Sequence, residues 1–347
     1  MLHRSRRERA GPLQLTAPAA GDPGALVHSV RLRVVVVAIV GVLAFGPGWF
    51  AYAAIDHPLV GTPYGVALGA CTAVAVLSWM ASILTRDASW VDRLWSIVPA
   101  LYCGIVLADV GFGSARVAVM TALASAWGAR LTFNLIRRGG WRPDSEDYRW
   151  TYLREQIGQR RVLGWQIGEV GFQAFNVLFV SFGQMALIWL FTSPVHRAWQ
   201  HADVPLGWLD YVAIVAFVVL LVLETVADQQ VWRFQQDKAR LAAEGAEVER
   251  PFLTEGLFRY CRHPNCTCEQ AMWIVFYLFA ISASGQLWHW TGLGWVILLL
   301  LFAVSTRLTE KISGERYPAY SLYQAAVPMF VPNPLNPRRR RARPVYL

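Results

Sequence analysis

Apolar residues along this chain run in long blocks with no polar face, instead of recurring every third or fourth position as they do in a helix that is half exposed to water. Eight blocks come near the roughly 20 residues a helix needs to cross a hydrocarbon layer. They cover 34 to 55, 64 to 84, 94 to 110, 115 to 136, 169 to 191, 208 to 226, 269 to 285 and 289 to 306. The third block and the last pair are short, so the last two could form a hairpin, and seven spans are the alternative to eight. The pattern predicts an all-α, polytopic membrane helical bundle of about eight spans over residues 31–333. Residues 1–30, with Pro, Gly and Ala among charges, read as a disordered tail, and 334–347 as a polybasic one.

Composition agrees with this pattern: 55% of the 347 residues are hydrophobic and 16% charged, which excludes an ordinary soluble domain. A net charge of +9 would first suggest a nucleic-acid partner. The basic residues lie between apolar blocks instead of forming a face, so they are read as topology signals and no nucleic acid is expected. With a cytoplasmic N-terminus, 30 of the 32 lysines and arginines fall on the inner side, leaving Arg116 and Arg197 outside. That asymmetry favours an even number of spans with both termini cytoplasmic, in the plasma (inner) membrane. The first apolar run is too long, and too far from the N-terminus, for a cleaved signal peptide. The ending PNPLNPRRRRARP suits anionic lipid or simply enforces topology.

Two inner segments are more than connectors. Residues 137–166 interleave charges with aromatics, Tyr148 and Tyr152 lying four apart, and predict an interfacial helix. Residues 228–269 hold the densest polar cluster near the membrane. Neither contains a dinucleotide fingerprint, a phosphate loop, a metalloprotease helix or a nucleophile elbow. Gly61, Gly65 and Gly69 form a small-residue stripe suited to close helix packing, in the monomer or at a dimer seam.

Polar side chains within apolar blocks are costly and usually face an interior or a cavity. Glu224 and Asp228 share one helical face, with Arg233 a turn beyond, and either face a ligand or form a salt-bridge network. Glu169, Gln173 and Asn176 form one polar stripe, and Arg130, Asn134 and Arg137 or Arg138 another. Together these line a pocket open to the cytoplasm, or serve inter-helix hydrogen bonding and snorkelling. Asp92 either caps the third span or pairs with arginine, and Tyr102 is a core residue or a phenolic proton donor.

The stretch GLFRYCRHPNCTCEQAMW places Arg259, Arg262, His263, Asn265 and Glu269 at the mouth of the seventh span. Pro264 fixes the turn, Asn265 is expected to cap the helix, and arginine forks beside a helix N-terminus can clamp an anion. A phosphate-bearing ligand, a lipid headgroup or structural pairing all fit. Cys261, His263, Cys266 and Cys268 have irregular spacing for zinc and are read as packing residues. Arg307, Glu310, Arg316, Tyr317, Tyr320 and Tyr323 follow the last span, with the tyrosines forming an aromatic ledge over a ligand or in the headgroup belt.

VDRLWS, FNLIRRGG, DYRW, LREQIG, ADQQVWRF, GLFRYCRHPNCTCEQAMW and GERYPAY resemble, over about residues 60 to 333, the DUF1295 membrane proteins related to the C-terminal domain of steroid 5-alpha-reductase. Sterol reductases and isoprenylcysteine carboxyl methyltransferases carry looser forms of the GLFRYxRHPNxxxE motif. The resemblance implies a helical bundle holding NADPH between inner loops and helix ends. Asp228, Arg259, His263, Asn265 and Glu269 match positions used there for cofactor binding or pocket support. The chain departs from the family pattern at Cys266, where Tyr is usual, and at Cys268, where Gly is usual. The full candidate set for NADPH is Asn134, Arg138, Glu224, Asp228, Arg233, Arg259, Arg262, His263, Asn265, Glu269, Arg316 and Tyr320. The expected reaction is NADPH-dependent reduction of a polarised carbon-carbon double bond in an apolar, lipid-like substrate of steroid or isoprenoid type. Methyl transfer from S-adenosylmethionine to a lipid or prenylated acceptor, or a non-enzymatic scaffold, is the alternative.

Overall fold

The computed structural model describes residues 59–332 apart from 112, 143–144, 163–164, 167 and 247–250. The first apolar block and both tails lie outside the described residues. The chain forms α1 (Pro63–Thr85), α2 (Trp90–Trp95), α3 (Val98–Asp109), α4 (Ala115–Arg137), α5 (Tyr148–Gly158), a hairpin of β1 (Arg161–Val162) and β2 (Trp165–Gln166), and α6 (Gly168–Phe175). A π-helical stretch, Asn176–Gly183, runs into α7 (Gln184–Thr192), followed by α8 (Pro194–Gln200), α9 (Trp208–Ala243), α10 (Pro264–Ser284), α11 (Leu293–Arg316) and α12 (Tyr320–Ala326).

Among the described residues six helical segments are long and apolar enough to cross a membrane: Pro63–Thr85, Trp90–Asp109, Gly168–Gln200, Trp208–Ala243, Pro264–Ser284 and Trp290–Arg316. The architecture is therefore an all-helical, multi-pass membrane bundle. The fourth predicted block is also a helix, α4, of 23 residues, but it carries Arg116 near one end and Arg130 and Arg137 near the other. Its arginines meet carboxylates and carbonyls inside the protein, as described below, so α4 packs among its neighbours instead of presenting a uniformly apolar surface.

Local sequence explains where the helices start and stop. Thr62 caps α1 by accepting from Gly65 N at 3.1 Å, with Pro63 at the first turn, where a missing N–H costs nothing. Arg86, at φ 55°, ends α1 in the left-handed region. Pro264 opens α10 and Gly285, at φ 68°, closes it. α9 runs 36 residues, about 54 Å at 1.5 Å per residue, well beyond a hydrocarbon core of about 30 Å. The helix formers of its polar end carry it past the predicted boundary at residue 226, out to Ala243.

Packing sorts side chains by lipid, not water. Val212, Val215, Val219, Val222 and Val226 on α9 are exposed, while Trp127, Trp273, Phe191, Phe276 and Tyr64 are fully buried. Trp127 meets Trp273 edge to face at 5.1 Å between ring centroids, and Trp273 meets Phe191 at 4.2 Å. A Cβ at Gly128 would collide with the Ser96 carbonyl and one at Gly294 with the Leu190 backbone, so these two glycines set helix spacing. The expected Gly61–Gly65–Gly69 seam is corrected. Gly61 precedes the helix at φ +86°, and a Cβ at Gly69 would have nothing within 4 Å among the described residues.

The 137–166 segment does contain a helix, α5, and it is held against the α1–α2 corner. Arg93 donates to the Gly140 carbonyl at 2.8 Å and to Asp87 at 2.6 Å, while Glu146 accepts from Ala88 N and Asp147 N donates to Ser89 Oγ, both at 2.8 Å. Asp92 does not cap its helix. It accepts from the Trp150 indole at 2.6 Å and lies 3.9 Å from Arg149. In the Glu169 stripe, Gln173 donates to Glu169 within α6 at 2.7 Å, and Asn176, in the π turn, makes the inter-helix bond by donating to Ser82 of α1 at 2.8 Å.

Candidate functional site

One end of the bundle gathers the charged ends of α4, α9 and α10 into a buried polar wall. Its centre is Asp228. Arg130 of α4 donates to it, Asn134 one turn on donates at 2.6 Å, and Asn265 of α10 lies 3.4 Å from its other oxygen. The more exposed Arg138 stands 3.7 Å from that same oxygen. Arg137 bonds the Asp228 carbonyl at 3.2 Å and Gln229 at 2.7 Å, and its guanidinium stacks on Trp232 at 5.1 Å. Three hydrogen-bond donors and the nearby Arg138 guanidinium thus converge on this one carboxylate.

Arg130 also reaches Glu224, at 2.8 Å. The i, i+4 spacing of Glu224 and Asp228 on α9 sets both carboxylates in front of one guanidinium, itself fixed by α4. Glu269, one turn after Asn265 on α10, is buried, and because Asn265 faces Asp228 and Ser282 bonds Asp210 it falls opposite Glu224 on the antiparallel α9. Asn134, Arg138, Glu224, Asp228, Asn265 and Glu269 thus come together. Arg130 bridges them, although sequence reasoning gave it only a place in the polar stripe. Its one signal was its position four residues before Asn134 on the same face.

This wall is not fully satisfied. Glu224 Oε2 and Arg130 Nε are buried with no hydrogen-bond partner among the described residues. One turn deeper, the indole nitrogens of Trp127 and Trp273 are in the same state. Arg130 Nη2 and Arg137 Nε are likewise without a hydrogen bond among the described residues, and since buried polar atoms are paired in the great majority of native structures, six such atoms in one region mark it as unusual.

Arg262, His263 and Tyr320 belong to a second cluster. Arg262 forks onto Glu310 of α11 at 2.6 and 3.0 Å and donates to the Gln324 carbonyl at 3.0 Å and to that of Val327. His263 Nε2 lies 2.8 Å from Glu310, and Gln324 donates to Glu310 at 3.0 Å. The hydroxyl of Tyr323 donates to the Phe258 carbonyl at 2.5 Å, and Phe252 packs against the Tyr317, Tyr320 and Tyr323 rings. Burial pushes the phenols of Tyr320 and Tyr323 well above their ordinary values, so both are neutral. The aromatic ledge is therefore a small core that docks α12 beneath the α10 entrance, with Arg262 and Glu310 as its polar bolt.

Two further expectations meet the structure here. Asn265 does not cap α10: His263 holds the cap position, and Thr267 Oγ1 donates back to its carbonyl at 3.0 Å. The Asn265 amide turns toward Asp228 instead. Of the remaining candidates, Arg259 is half-buried, and Arg233 and Arg316 are exposed. Arg316 lies 5.4 Å over the Tyr317 ring, and Arg233 and Arg259 have no ion pair among the described residues. Among the described residues no three His, Cys, Asp or Glu side chains are grouped to hold a metal ion.

Comparison with known proteins bears on the whole of this region. A protein of Schizosaccharomyces pombe described as uncharacterized is 36% identical over 268 residues, covering 73% of this chain and 75% of its own length. No solved structure matches the chain. The model of DUF1295, a family described as proteins of unknown function, matches residues 78–327, which takes in every element from the end of α1 to α12. This chain belongs to the DUF1295 family.

Proposed function

We propose that the protein is a membrane oxidoreductase that uses NADPH to reduce a polarised carbon-carbon double bond in an apolar, steroid-like or isoprenoid lipid. The observation that carries this reading is the incompletely satisfied polar wall around Arg130, Glu224 and Glu269, which adjoins both the apolar bundle interior and the charged helix ends. A lipid with one polar group and a charged dinucleotide would meet across such a boundary. The resemblance of GLFRYCRHPNCTCE to the steroid-reductase motif names the dinucleotide.

The side chains present fit that cofactor in part. Orphaned Glu224 Oε2 and Arg130 Nε offer an acceptor and a donor for amide or ribose groups. Arg138, Arg233 and Arg259, exposed or half-buried at the same end, are the cations available for phosphates. Arg262, His263 and Tyr320 do not fit as direct ligands, because Glu310 and the α12 core already occupy them; they support the α10 entrance. When bound, the cofactor supplies the hydride. The chain's part is to seat it, exclude water with Trp95, Trp127 and Trp273, and hold a proton near the reduced carbon.

Titration of the detergent-purified chain with NADPH and NADH, followed by nicotinamide fluorescence, tests this reading. Saturable NADPH binding is expected, weakened about 10- to 100-fold by Arg138→Ala or Arg259→Ala, as one lost charge-assisted contact of about 1.5–3 kcal/mol requires. A folded preparation that binds S-adenosylmethionine and neither nicotinamide would replace reduction with methyl transfer.

A further inference from the structure

Glu224 and Glu269 carry more negative charge than their surroundings neutralise. The Asn265–Asp228 contact at 3.4 Å and the Ser282–Asp210 bond at 2.7 Å set α9 and α10 antiparallel, which places Glu224, one turn before Asp228, opposite Glu269, one turn after Asn265, with Arg130 and Asn134 of α4 alongside. Three carboxylates are buried there with one buried guanidinium, that of Arg130. Asp228 draws on Arg130, Asn134, Asn265 and Arg138, and so takes the larger share of positive charge. What is left to Glu224 is the Arg130 Nη2 contact at 2.8 Å, and Glu269 has no ion pair among the described residues.

One orphaned atom points to what is missing. Glu224 Oε2, on a side chain 3% exposed, has no donor among the described residues. A hydrogen on one carboxyl group would remove one negative charge and supply a donor where none exists. Neighbouring buried carboxylates settle their repulsion in this way.

We propose that Glu224 and Glu269 bind one proton between them in the resting protein, forming a neutral acid and carboxylate pair beside Arg130. This site stands on charge and geometry alone. Its use in catalysis rests on the reduction proposed above. The bound nicotinamide would supply the hydride, its own C–H bond breaking to form the C–H bond at the β carbon and leaving it oxidised, while the π pair shifts toward the carbonyl. The carboxyl O–H then breaks to form the C–H bond at the α carbon, and the resulting carboxylate regains a proton from cytoplasmic water.

Infrared absorption of the full chain in detergent at neutral pH tests the pair without any cofactor. A protonated-carboxyl stretch should be present, shift in heavy water, and shift again when glutamate, but not aspartate, carries a heavy-carbon carboxyl label. Among the described residues the other buried glutamate is Glu310, ion-paired with Arg262, so such a band reports on Glu224 and Glu269. Loss of the band in Glu224→Gln or Glu269→Gln, with Glu315→Gln unchanged, is the expected result. A wild-type protein with no glutamate-derived band, or a band that survives in both variants, would overturn the proposal whether or not either variant is destabilised. NADPH binding measured on the same samples separates the two readings: a band without binding keeps the proton pair and removes the reductase.

Discussion

Arg262 and Glu310 lie 48 residues apart in sequence and meet fork to fork, with both donor distances at or under 3.0 Å and both side chains more than nine-tenths buried. One pair thereby joins the loop before α10 to α11, and through the Gln324 and Val327 carbonyls it also clamps α12. A guanidinium so occupied cannot also bind a phosphate.

Breaking this pair should therefore read out as stability, not as cofactor selectivity. Glu310→Gln leaves Arg262 buried without its anion, and removal of one partner of a buried pair costs about 3–5 kcal/mol. Thermal unfolding in detergent should fall markedly, and limited proteolysis should cut first near α12. Arg262→Lys should be nearly as damaging, because a single ammonium cannot replace the fork together with two carbonyl contacts. Unchanged melting with a selective loss of NADPH binding would return Arg262 to the ligand site.

A second buried pair ties the opposite end of the bundle. Arg116 donates twice to Asp210, at 2.8 Å each, and to the Val204 and Pro205 carbonyls, while Ser282 and Gly207 N also donate to Asp210. Arg116→Ala and Asp210→Ala should each cost about 3–5 kcal/mol. The double variant should cost clearly less than their sum, since each single change strands the other charge. Additive losses in a thermal double-mutant cycle would show that the two side chains act independently.

The cysteines give a chemical check on the same end of α10. Cys71, Cys103, Cys261 and Cys268 are buried and Cys266 is partly exposed, with no disulfide among them. Burial pushes the Cys261 thiol above its ordinary value, disfavouring the reactive thiolate. In the folded protein, maleimide should label Cys266 and leave the other four, which become reactive only in denaturant. Cys266→Ser with Cys268→Ser should change nicotinamide affinity by less than about threefold, under 1 kcal/mol.

The spans and inner loops were legible in the sequence because each signal is local. A run such as VAIVAFVVLLVLE on α9 has no water-facing stripe, and Pro264 and Gly285 bound α10 by their own backbone preferences. The Glu224–Asp228 face was legible for the same reason, through i, i+4 spacing. What the sequence concealed is which distant side chain answers each charge. Asp228 is met by Asn134 and Arg130, 94 and 98 residues earlier. The order of helices around the bundle decides those pairings, and no periodicity in a single chain encodes it. Asn265 was misread as a cap because its residue type favours capping, whereas Pro264 had already moved the cap position back to His263.

Sidedness is the remaining consequence, since the two buried charge clusters lie at opposite ends of α4 and α9. The end with Arg93, Arg130, Arg137, Arg138, Arg149, Arg154 and Arg262 is dense in cations, while the end with Arg116–Asp210 and Arg197 pairs most of its few. Basic excess marks the cytoplasmic side. Reporter fusions after residues 112, 200 and 287 should score external, and those after 90, 145 and 245 internal. The Arg197–Gln286 bond at 2.9 Å joins the segments near residues 200 and 287, and the Arg93–Gly140 bond at 2.8 Å joins those near 90 and 145, so each set must score together. A fusion after 145 that scores external would place Arg138 and Asp228 on the non-cytoplasmic side, out of reach of cytosolic NADPH, and the proposed reduction would fail with it.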